Sequence, residues 1–308
     1  LIKYVRPLFP AISSRGLTQT QGDSSMQSGI IRRAYALDGE GVKIGVISDS
    51  YNRNDGNPAD IDVQNGDLPG TGNPDYPNPV NVLKEFPRRG STDEGRAMLQ
   101  IIHDVAPKAK LAFRTGFNTA DDFALGIHEL ANDSCDIIVD DVTFITEPFF
   151  QDGVVAQAVD SVVSKGVAYF TAAGNYGSKS YSGTFSDAPA PATITGSAHD
   201  FGGGDIFQKV TLAPGSYTVV LQWEDDFYSR KQGAGATNDL EIYLTYDNGV
   251  SLFGFNRDNT GGDPIEILPF TVISPAVTNI MIVKAAGTAA VKFKYVVFRG
   301  DLTINEYH

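Results

Sequence analysis

The chain has 308 residues, a hydrophobic fraction of 42% and a charged fraction of 20%, the composition of an ordinary globular protein of about two domains. No apolar run approaches the ~20 residues that a membrane span needs, so we expect no membrane span. The net charge of −13 argues against nucleic acid as the main partner, because phosphates attract lysine and arginine. The single cysteine, Cys135, excludes an internal disulfide.

The first part of the chain is predicted to contain a lead-in followed by alternating strands and helices. In the lead-in, residues 1–40, the apolar spacing over residues 30–37 predicts a short helix. Residues 42–47 form a short apolar run that predicts a strand. Residues 51–90 are rich in Asn, Asp, Gly and Pro and predict a long loop.

The alternation then continues to about residue 173. The predicted elements are, in chain order, a helix over 94–105, a strand over 110–114, a helix over 119–132 with Thr119 as its cap, a strand over 136–139, a helix over 153–164 and a strand over 167–173. Apolar strands that alternate with helices predict an α/β domain over residues 41–200, with a parallel sheet and helices on both faces.

The pattern of apolar residues changes after residue 201. Period-two alternation predicts strands, and turn clusters rich in Asn, Asp and Gly separate them. The predicted strands cover residues 216–223, 240–246, 265–272, 278–284 and 290–298. This pattern predicts a β-sandwich domain over residues 201–300, with residues 301–308 leading back to the α/β domain.

Three polar residues stand at positions suited to chemistry, and each also has a simpler interpretation. Asp49 follows the first predicted strand, at the edge where α/β sheets bind ligands, but a loop Asp in a turn explains it too. Glu94 lies in the first turn of a predicted helix, where the helix dipole alone favours an acid. Asn175 ends a strand of small residues, and its amide can stabilise a developing oxyanion, unless it is a buried turn residue.

These residues, in this order, resemble the subtilases, a family of serine proteases. The run from Ala172 to Asn175 matches the family's Ala-Ala-Gly-Asn motif, and the run from Val105 to Leu111 matches the turn after its catalytic helix. The resemblance covers roughly residues 25–197. It implies a subtilisin-like fold and a secreted, bacterial-type serine endopeptidase with Asp49, Glu94 and Asn175 as catalytic residues.

The chain departs from the subtilase pattern at the position of the general base, the residue that accepts the proton of the nucleophile. Glu94 stands where subtilases carry His, which is the habit of the sedolisins, but Met98 stands where sedolisins carry Asp. The resemblance therefore implies an atypical, sedolisin-like branch. Our hypothesis is that Glu94 accepts the proton of the nucleophile and forms a carboxyl pair with Asp49, with an optimum in mildly acid solution. Asp141, which follows the strand over 136–139, is a further candidate for this site.

The nucleophile of the subtilases is not recognisable in these residues. No Gly-Thr-Ser motif followed by small residues and Pro occurs, and the run from Gly287 to Ala290 has Ala where Ser should stand. We therefore expect the nucleophilic Ser to be absent from this chain, and the chain alone to be inactive. His103 is interpreted as a histidine near a helix C-terminus and Cys135 as a core residue.

The β-rich part resembles small β-sandwich modules carried by many secreted bacterial proteases. The resemblance rests on residues 223–226 and 238–244, and it implies a module inserted within the catalytic domain. Asp225, Asp226 and Asp239 are candidates for calcium, but acids in turns and edge strands are the simpler interpretation, so no cofactor is expected.

The sequence leaves three functions open. The first is a secreted endopeptidase acting on peptides or proteins. The second is a non-catalytic relic of the protease fold that binds through its β-sandwich. The third is a glycosidase that uses Asp49 and Glu94 as paired carboxylates, and it leaves the Ala-Ala-Gly-Asn motif without a purpose.

Overall fold

A computed structural model of the chain describes residues 12–13, 22–56, 58–88, 91–231, 233–255, 257–288 and 290–307. Most of the predicted lead-in before residue 22 lies outside these residues. The chain divides into two compact units. The α/β unit comprises the described residues up to Glu147 together with Val154–Gly174. The β-rich unit comprises Pro148–Gly153 and the described residues from Asn175 onward.

The α/β unit contains all of the α-helices that the structure describes. They are α1 (Gly22–Met26), α2 (Ser28–Tyr35), α3 (Pro58–Asn65), α4 (Glu94–Val105), α5 (Ala120–Asn132) and α6 (Val154–Val163). Its strands are β1 (Ile12–Ser13), β2 (Lys43–Ser48), β3 (Asn81–Lys84), β4 (Lys110–Thr115), β5 (Ile137–Asp140), β6 (Val142–Thr143) and β7 (Ala168–Thr171). No helix of the described chain is long and apolar enough to cross a membrane.

A parallel sheet of five strands forms the centre of this unit, in the order β3-β4-β2-β5-β7. Successive residues of β2 point to opposite faces, so Val46 and Ile47 belong to different apolar clusters. The cluster of Val46 includes Leu99 from α4. The cluster of Ile47 includes Ile127 from α5 and Val162 from α6. Helices therefore cover both faces, as the sequence predicts.

Local signals explain where two of the helices begin and end. Thr119 is extended and its side-chain oxygen accepts the N–H of Asp122 at 3.0 Å, which caps α5 as predicted. After α6 the chain turns at Gly166, whose φ of +97° is unfavourable for residues with a Cβ. Residues 51–90 are not only a loop, because α3 and β3 lie within them.

The β-rich unit consists of two antiparallel sheets. Its strands are β8 (Ser180–Thr184), β9 (Asp187–Pro189), β10 (Ser197–His199), β11 (Gln208–Leu212), β12 (Gly215–Trp223), β13 (Asp239–Thr245), β14 (Phe253–Phe255), β15 (Ile265–Val272), β16 (Ala276–Ala286), β17 (Lys292–Arg299) and β18 (Leu302–Ile304). The seven-stranded sheet has the order β14-β13-β16-β10-β9, and β11 pairs with both β16 and β18. The four-stranded sheet has the order β15-β12-β17-β8.

The two sheets enclose one apolar core, which makes this unit a β-sandwich. Alternate residues of β12 from Tyr217 to Trp223 enter the core from the smaller sheet. Leu240, Ile242 and Leu244 of β13 enter it from the larger one. The predicted fold class, α/β with a parallel sheet and an additional β-rich domain, is therefore confirmed. The architecture is consistent with the subtilisin-like fold that the resemblance implies.

The division of the chain differs from the predicted boundary near residue 200. The structure divides the chain after Gly174, because β8 pairs with β17, and β10 pairs with β16, so that both belong to the β-rich unit. Residues 301–307 also belong to the β-rich unit, whereas the sequence predicts that they lead back to the α/β domain. Leu302 and Ile304 alternate into the core of the β-sandwich, and β18 pairs with β11.

Candidate functional site

Two neighbouring strands end at the same edge of the parallel sheet and present carboxylates there. Ile47 of β2 is in register with Asp140 of β5. Asp49 therefore follows β2 close to the point where Asp141 follows β5. Helix α4 begins nearby with Glu94, because the main chain of its first turn is hydrogen-bonded to Asp49. This edge is the one at which open α/β sheets bind ligands.

Asp49 is buried, and its carboxylate binds the segment that leads into α4. Oδ2 accepts the N–H of Thr92 at 2.8 Å and the hydroxyl of Ser91 at 2.9 Å. Oδ1 accepts the N–H of Glu94 at 2.9 Å. A carboxylate at the start of a helix satisfies free N–H groups and interacts favourably with the helix dipole. Asp49 thus fixes the position of Glu94, and a direct catalytic role for Asp49 stays a prediction.

Asp93 provides a second anchor beside Glu94. It has left-handed backbone angles, with φ 55° and ψ 34°, and its carboxylate accepts the N–H of Arg53 at 2.7 Å and the hydroxyl of Ser50 at 2.7 Å. Burial alone would raise the pKa of Asp93, but hydrogen bonds from Ser50, Asn54 and Arg53 outweigh it and lower the pKa. Asp93 is therefore a charged structural group that holds the turn before α4.

The carboxyl group beside Glu94 is that of Asp141. Both residues are only 8% exposed. No N–H or hydroxyl group of the described residues donates to Oε2 of Glu94 or to Oδ1 of Asp141. Burial raises the pKa of Asp141 to about 7. The negative charge of Glu94 and a hydrogen bond between the two carboxyls raise this pKa further, and the hydroxyl of Ser48 partly opposes the rise. The site therefore contains two adjacent buried carboxyls, and the proton affinity of Asp141 is elevated.

The close approach of α4 to the sheet depends on Gly95. A Cβ on this residue would lie 2.3 Å from Cε2 of Phe113 and 2.9 Å from the carbonyl oxygen of Ser50. Both atoms belong to the buried centre of the unit, and main-chain atoms cannot move aside easily. The pair Glu94-Gly95 therefore places an acid and a residue without a side chain where α4 passes close to Phe113 of β4 and to the chain after β2.

We expect Gly95→Ala to lower the unfolding free energy of the α/β unit by about 1–3 kcal/mol, the usual cost of overpacking. The helical far-ultraviolet circular dichroism signal in a denaturant titration measures this, because the described α-helices all belong to this unit. Gly177→Ala is the matched control, since a Cβ there meets nothing within 4 Å. Equal effects of the two substitutions would contradict the close-packing explanation.

Asn175 is exposed and is the first residue of the β-rich unit after β7. The turn before it contains Gly174, whose φ is +75°. Its predicted role as an oxyanion donor remains a prediction. His103 is buried in α4 and packs edge-on against Tyr76 at 4.9 Å between ring centroids, and burial lowers the pKa of its imidazole. Cys135 is a core residue, as predicted, and burial raises its pKa to about 12.

The acids proposed for calcium make main-chain contacts. Asp225 accepts the N–H groups of Thr237 at 3.0 Å and of Asn238 at 2.7 Å, and Asp239 accepts the N–H of Asn259 at 3.2 Å. Within the described ranges, no group of three or more His, Cys, Asp or Glu side chains is placed to hold a metal ion. Asp225 and Asp239 therefore have structural partners that explain their positions.

Comparisons with known proteins add a structural likeness. No protein-family model matches the chain, and no curated protein matches its sequence. Among solved structures, it is similar to the CspB protease of Clostridium perfringens, with a TM-score of 0.49 and 12% sequence identity. The alignment covers 91% of this chain and 70% of that protein.

Proposed function

We propose that this chain forms part of a secreted serine endopeptidase of the subtilase group, in which Glu94 replaces histidine as the general base. The observation that carries the proposal is the buried Glu94 at the carboxyl edge of a parallel sheet, held there by Asp49. The ordered set Asp49, Glu94 and Ala-Ala-Gly-Asn supports the same assignment. The substrate would be a peptide or protein, and the chemistry requires no cofactor.

In this proposal the nucleophilic serine comes from outside these 308 residues. Its oxygen forms a bond to the peptide carbonyl carbon while its proton passes to Glu94. A hydrogen-bond donor stabilises the resulting oxyanion, which is the role that the resemblance to the subtilases implies for the amide of Asn175. Glu94 then returns the proton to the leaving amine as the C–N bond breaks, and water hydrolyses the acyl-enzyme by the same route.

The test uses the complete coding sequence of the gene, including whatever follows the codon for His308. We expect the protein to hydrolyse peptides with an optimum below about pH 7, and Glu94→Gln to lower kcat/KM by on the order of 10³-fold or more. Asp60→Asn, an exposed acid in α3, is the control and should keep full activity. An optimum above pH 8, or an active Glu94→Gln enzyme, would refute the assignment of Glu94 as base.

A second candidate function is binding without catalysis, through the β-sandwich. An apolar cleft of about 580 Å³ opens there between Leu244, Phe270 and Val277, and Tyr246 and Phe253 are exposed at its lining. Pockets that bind small apolar ligands have this size and lining. A complete protein that lacks peptidase activity and any downstream Gly-Thr-Ser, but binds a fluorescent apolar probe, would favour this candidate. Tyr246→Ala with Phe253→Ala should then weaken binding of the probe.

A further inference from the structure

The carboxyls of Glu94 and Asp141 cannot both be charged in the resting site at low energetic cost. Each is nine-tenths buried, and one oxygen of each receives no N–H or hydroxyl donor from the described residues. A buried ionised carboxylate without a donor is unfavourable, and two adjacent ones repel each other. One proton between them removes the repulsion and supplies the missing hydrogen bond.

Among the residues that the structure describes, the groups acting most strongly on the pair do not supply a compensating positive charge. The groups that act most strongly on Asp141 are Glu94 of α4, Ser48 of β2 and its own neighbour Asp140, and none of these is a cation. Asp140 is itself engaged, since it accepts the N–H of Val142 at 3.2 Å and the hydroxyl of Thr171 at 3.0 Å.

The other charged groups near the start of α4 are also occupied. Arg96 forms ion pairs with Asp93 at 2.6 Å and with Asp62 at 2.8 Å. Asp49 accepts hydrogen bonds on both of its oxygens from the segment before α4. Since neither Arg96 nor the groups that act most strongly on Asp141 balance the charge of the pair within the described part of the chain, a proton on the pair would do so.

We propose that Asp141 is the positioning residue of the site, and that it holds a proton which it donates in a hydrogen bond to the carboxylate of Glu94. This differs from the pairing of Glu94 with Asp49 that the sequence suggests. Asp49 determines where the backbone of Glu94 lies, and Asp141 determines where its carboxylate points and when it is charged.

The consequence for catalysis rests on the proposed function. With one shared proton, Glu94 is an anion that can accept the proton of a serine, while Asp141 orients it. When the pH rises far enough to remove the shared proton, the pair carries two charges and the carboxyls repel each other. The loss of this proton would therefore set the alkaline limit of the pH–activity profile. Asp141 would then account for a pH optimum in acid solution.

The test measures the titration of the pair in this chain directly, without substrate. The chain is prepared with ¹³C-labelled side-chain carboxyls, and the NMR shifts of its 37 Asp and Glu carboxyls are followed with pH. The signals of the pair are assigned as those lost in Glu94→Gln and in Asp141→Asn. We expect one carboxyl of the wild-type pair to titrate near pH 7, and this step to move to lower pH by one unit or more in Glu94→Gln.

Two comparisons separate a shared proton from simple burial. Asp140→Asn, which removes the adjacent buried acid before Asp141, should lower the upper titration step of the pair by less than Glu94→Gln does. In Asp141→Asn the remaining Glu94 signal should titrate in a single step. If Asp141→Asn does not fold, Glu94→Gln alone still decides, because an upper step that stays in place after removal of Glu94 overturns the proposal.

The outcome is independent of the peptidase assignment. If the two carboxyls titrate as a coupled pair but the full-length protein hydrolyses no peptide, the proposal of a shared proton stands and the proposed function is rejected. If the full-length protein is an active peptidase but its two carboxyls titrate independently, the role proposed for Asp141 is rejected and the proposed function stands. In an active enzyme with a coupled pair, Asp141→Asn should also shift the alkaline limb of the pH profile, an effect that a structural role alone would not produce.

Discussion

Replacing Asp49 with alanine is expected to lower the unfolding free energy of the α/β unit by about 3–5 kcal/mol. Asp49 is 1% exposed and accepts three main-chain N–H groups at 2.9 Å or less, those of Ser50, Thr92 and Glu94. It also accepts the hydroxyls of Ser91 at 2.9 Å and of Thr92 at 2.5 Å. Alanine would leave buried donors without an acceptor, and each costs about 1–3 kcal/mol.

The measurement is a denaturant titration followed by the helical circular dichroism signal, which reports on the α/β unit. Asp49→Asn should be less severe than Asp49→Ala, because one acceptor oxygen remains. Asp60→Ala is the matched control, an exposed acid in the first turn of α3, and should change the stability by less than about 0.5 kcal/mol. If Asp49→Ala behaves like the control, the hydrogen bonds to Asp49 do not hold the start of α4.

The second large effect concerns Glu266, a buried acid of the β-sandwich. Glu266 lies opposite Leu221 in the pairing of β15 with β12, so its side chain is on the face of the sheet that meets the core. It is 3% exposed, and its Oε1 lies 3.9 Å from Nε of the exposed Arg257. Burial raises its pKa to about 8, and the nearby Asp239 and Glu241 add to the rise against the opposing charge of Arg257.

The sign of the effect on stability follows from this pKa. Between the ordinary value of 4.5 and about 8, the folded state binds the proton of Glu266 more tightly than the unfolded state does. The stabilisation by this group is therefore complete below pH 4.5 and is lost as the pH rises through about 8. His199 acts in the opposite direction, because burial lowers its pKa to about 4, so that its contribution increases as the pH rises toward 6.5.

Glu266→Gln isolates the contribution of Glu266 from that of His199. We expect the variant to match the wild type near pH 4.5 and to be more stable by about 2–4 kcal/mol near pH 9, where the wild type carries a buried charge. Fluorescence of Trp223, the single tryptophan, reports on the β-rich unit because this residue is fully buried in its core.

Glu224→Gln is the control for the effect of pH. Glu224 is 48% exposed in its side chain and pairs with Lys292 at 3.4 Å on the surface, so the variant should follow the wild-type pH curve. A stability difference between Glu266→Gln and the wild type that does not change with pH would show that Glu266 titrates in the folded state as it does in the unfolded chain.

The elements that the sequence predicts well are those whose periodicity and end signals agree. Helix α4 begins at Glu94 and ends at Val105, as predicted, because its apolar spacing is regular and Pro107 follows. The elements inside residues 51–90 lack such signals. Only Ala59 is buried in α3, and all of the residues of β3 are exposed, so neither element shows the periodicity that burial imposes on a sequence.

The sequence predicts where in the fold the candidate site lies, but it does not predict how the side chains of the site are arranged. The ends of the strands locate Asp49, Glu94 and Asp141 at one edge of the sheet. Which carboxyl faces Glu94 depends on the register of β5 against β2, and on the satisfaction of Asp49 by the main chain before α4. Neither the strand register nor the direction of a side chain is encoded in local spacing, so the sequence alone does not distinguish Asp49 from Asp141 as the partner of the Glu94 carboxylate.

The segment Pro148–Gly153 belongs to the β-rich unit, although β6 and α6 of the α/β unit flank it in sequence. The N–H of Phe149 donates to Oε1 of Gln222 at 2.9 Å, and Nε2 of Gln151 donates to the carbonyl of Asp225 at 2.8 Å. The β-rich unit is therefore discontinuous in sequence, because Val154–Gly174 of the α/β unit separates its two stretches. A gene fragment that starts at Asn175 would encode both sheets but omit the hexapeptide that contacts Gln222 and Asp225, so a fragment meant to carry the whole unit must also include Pro148–Gly153.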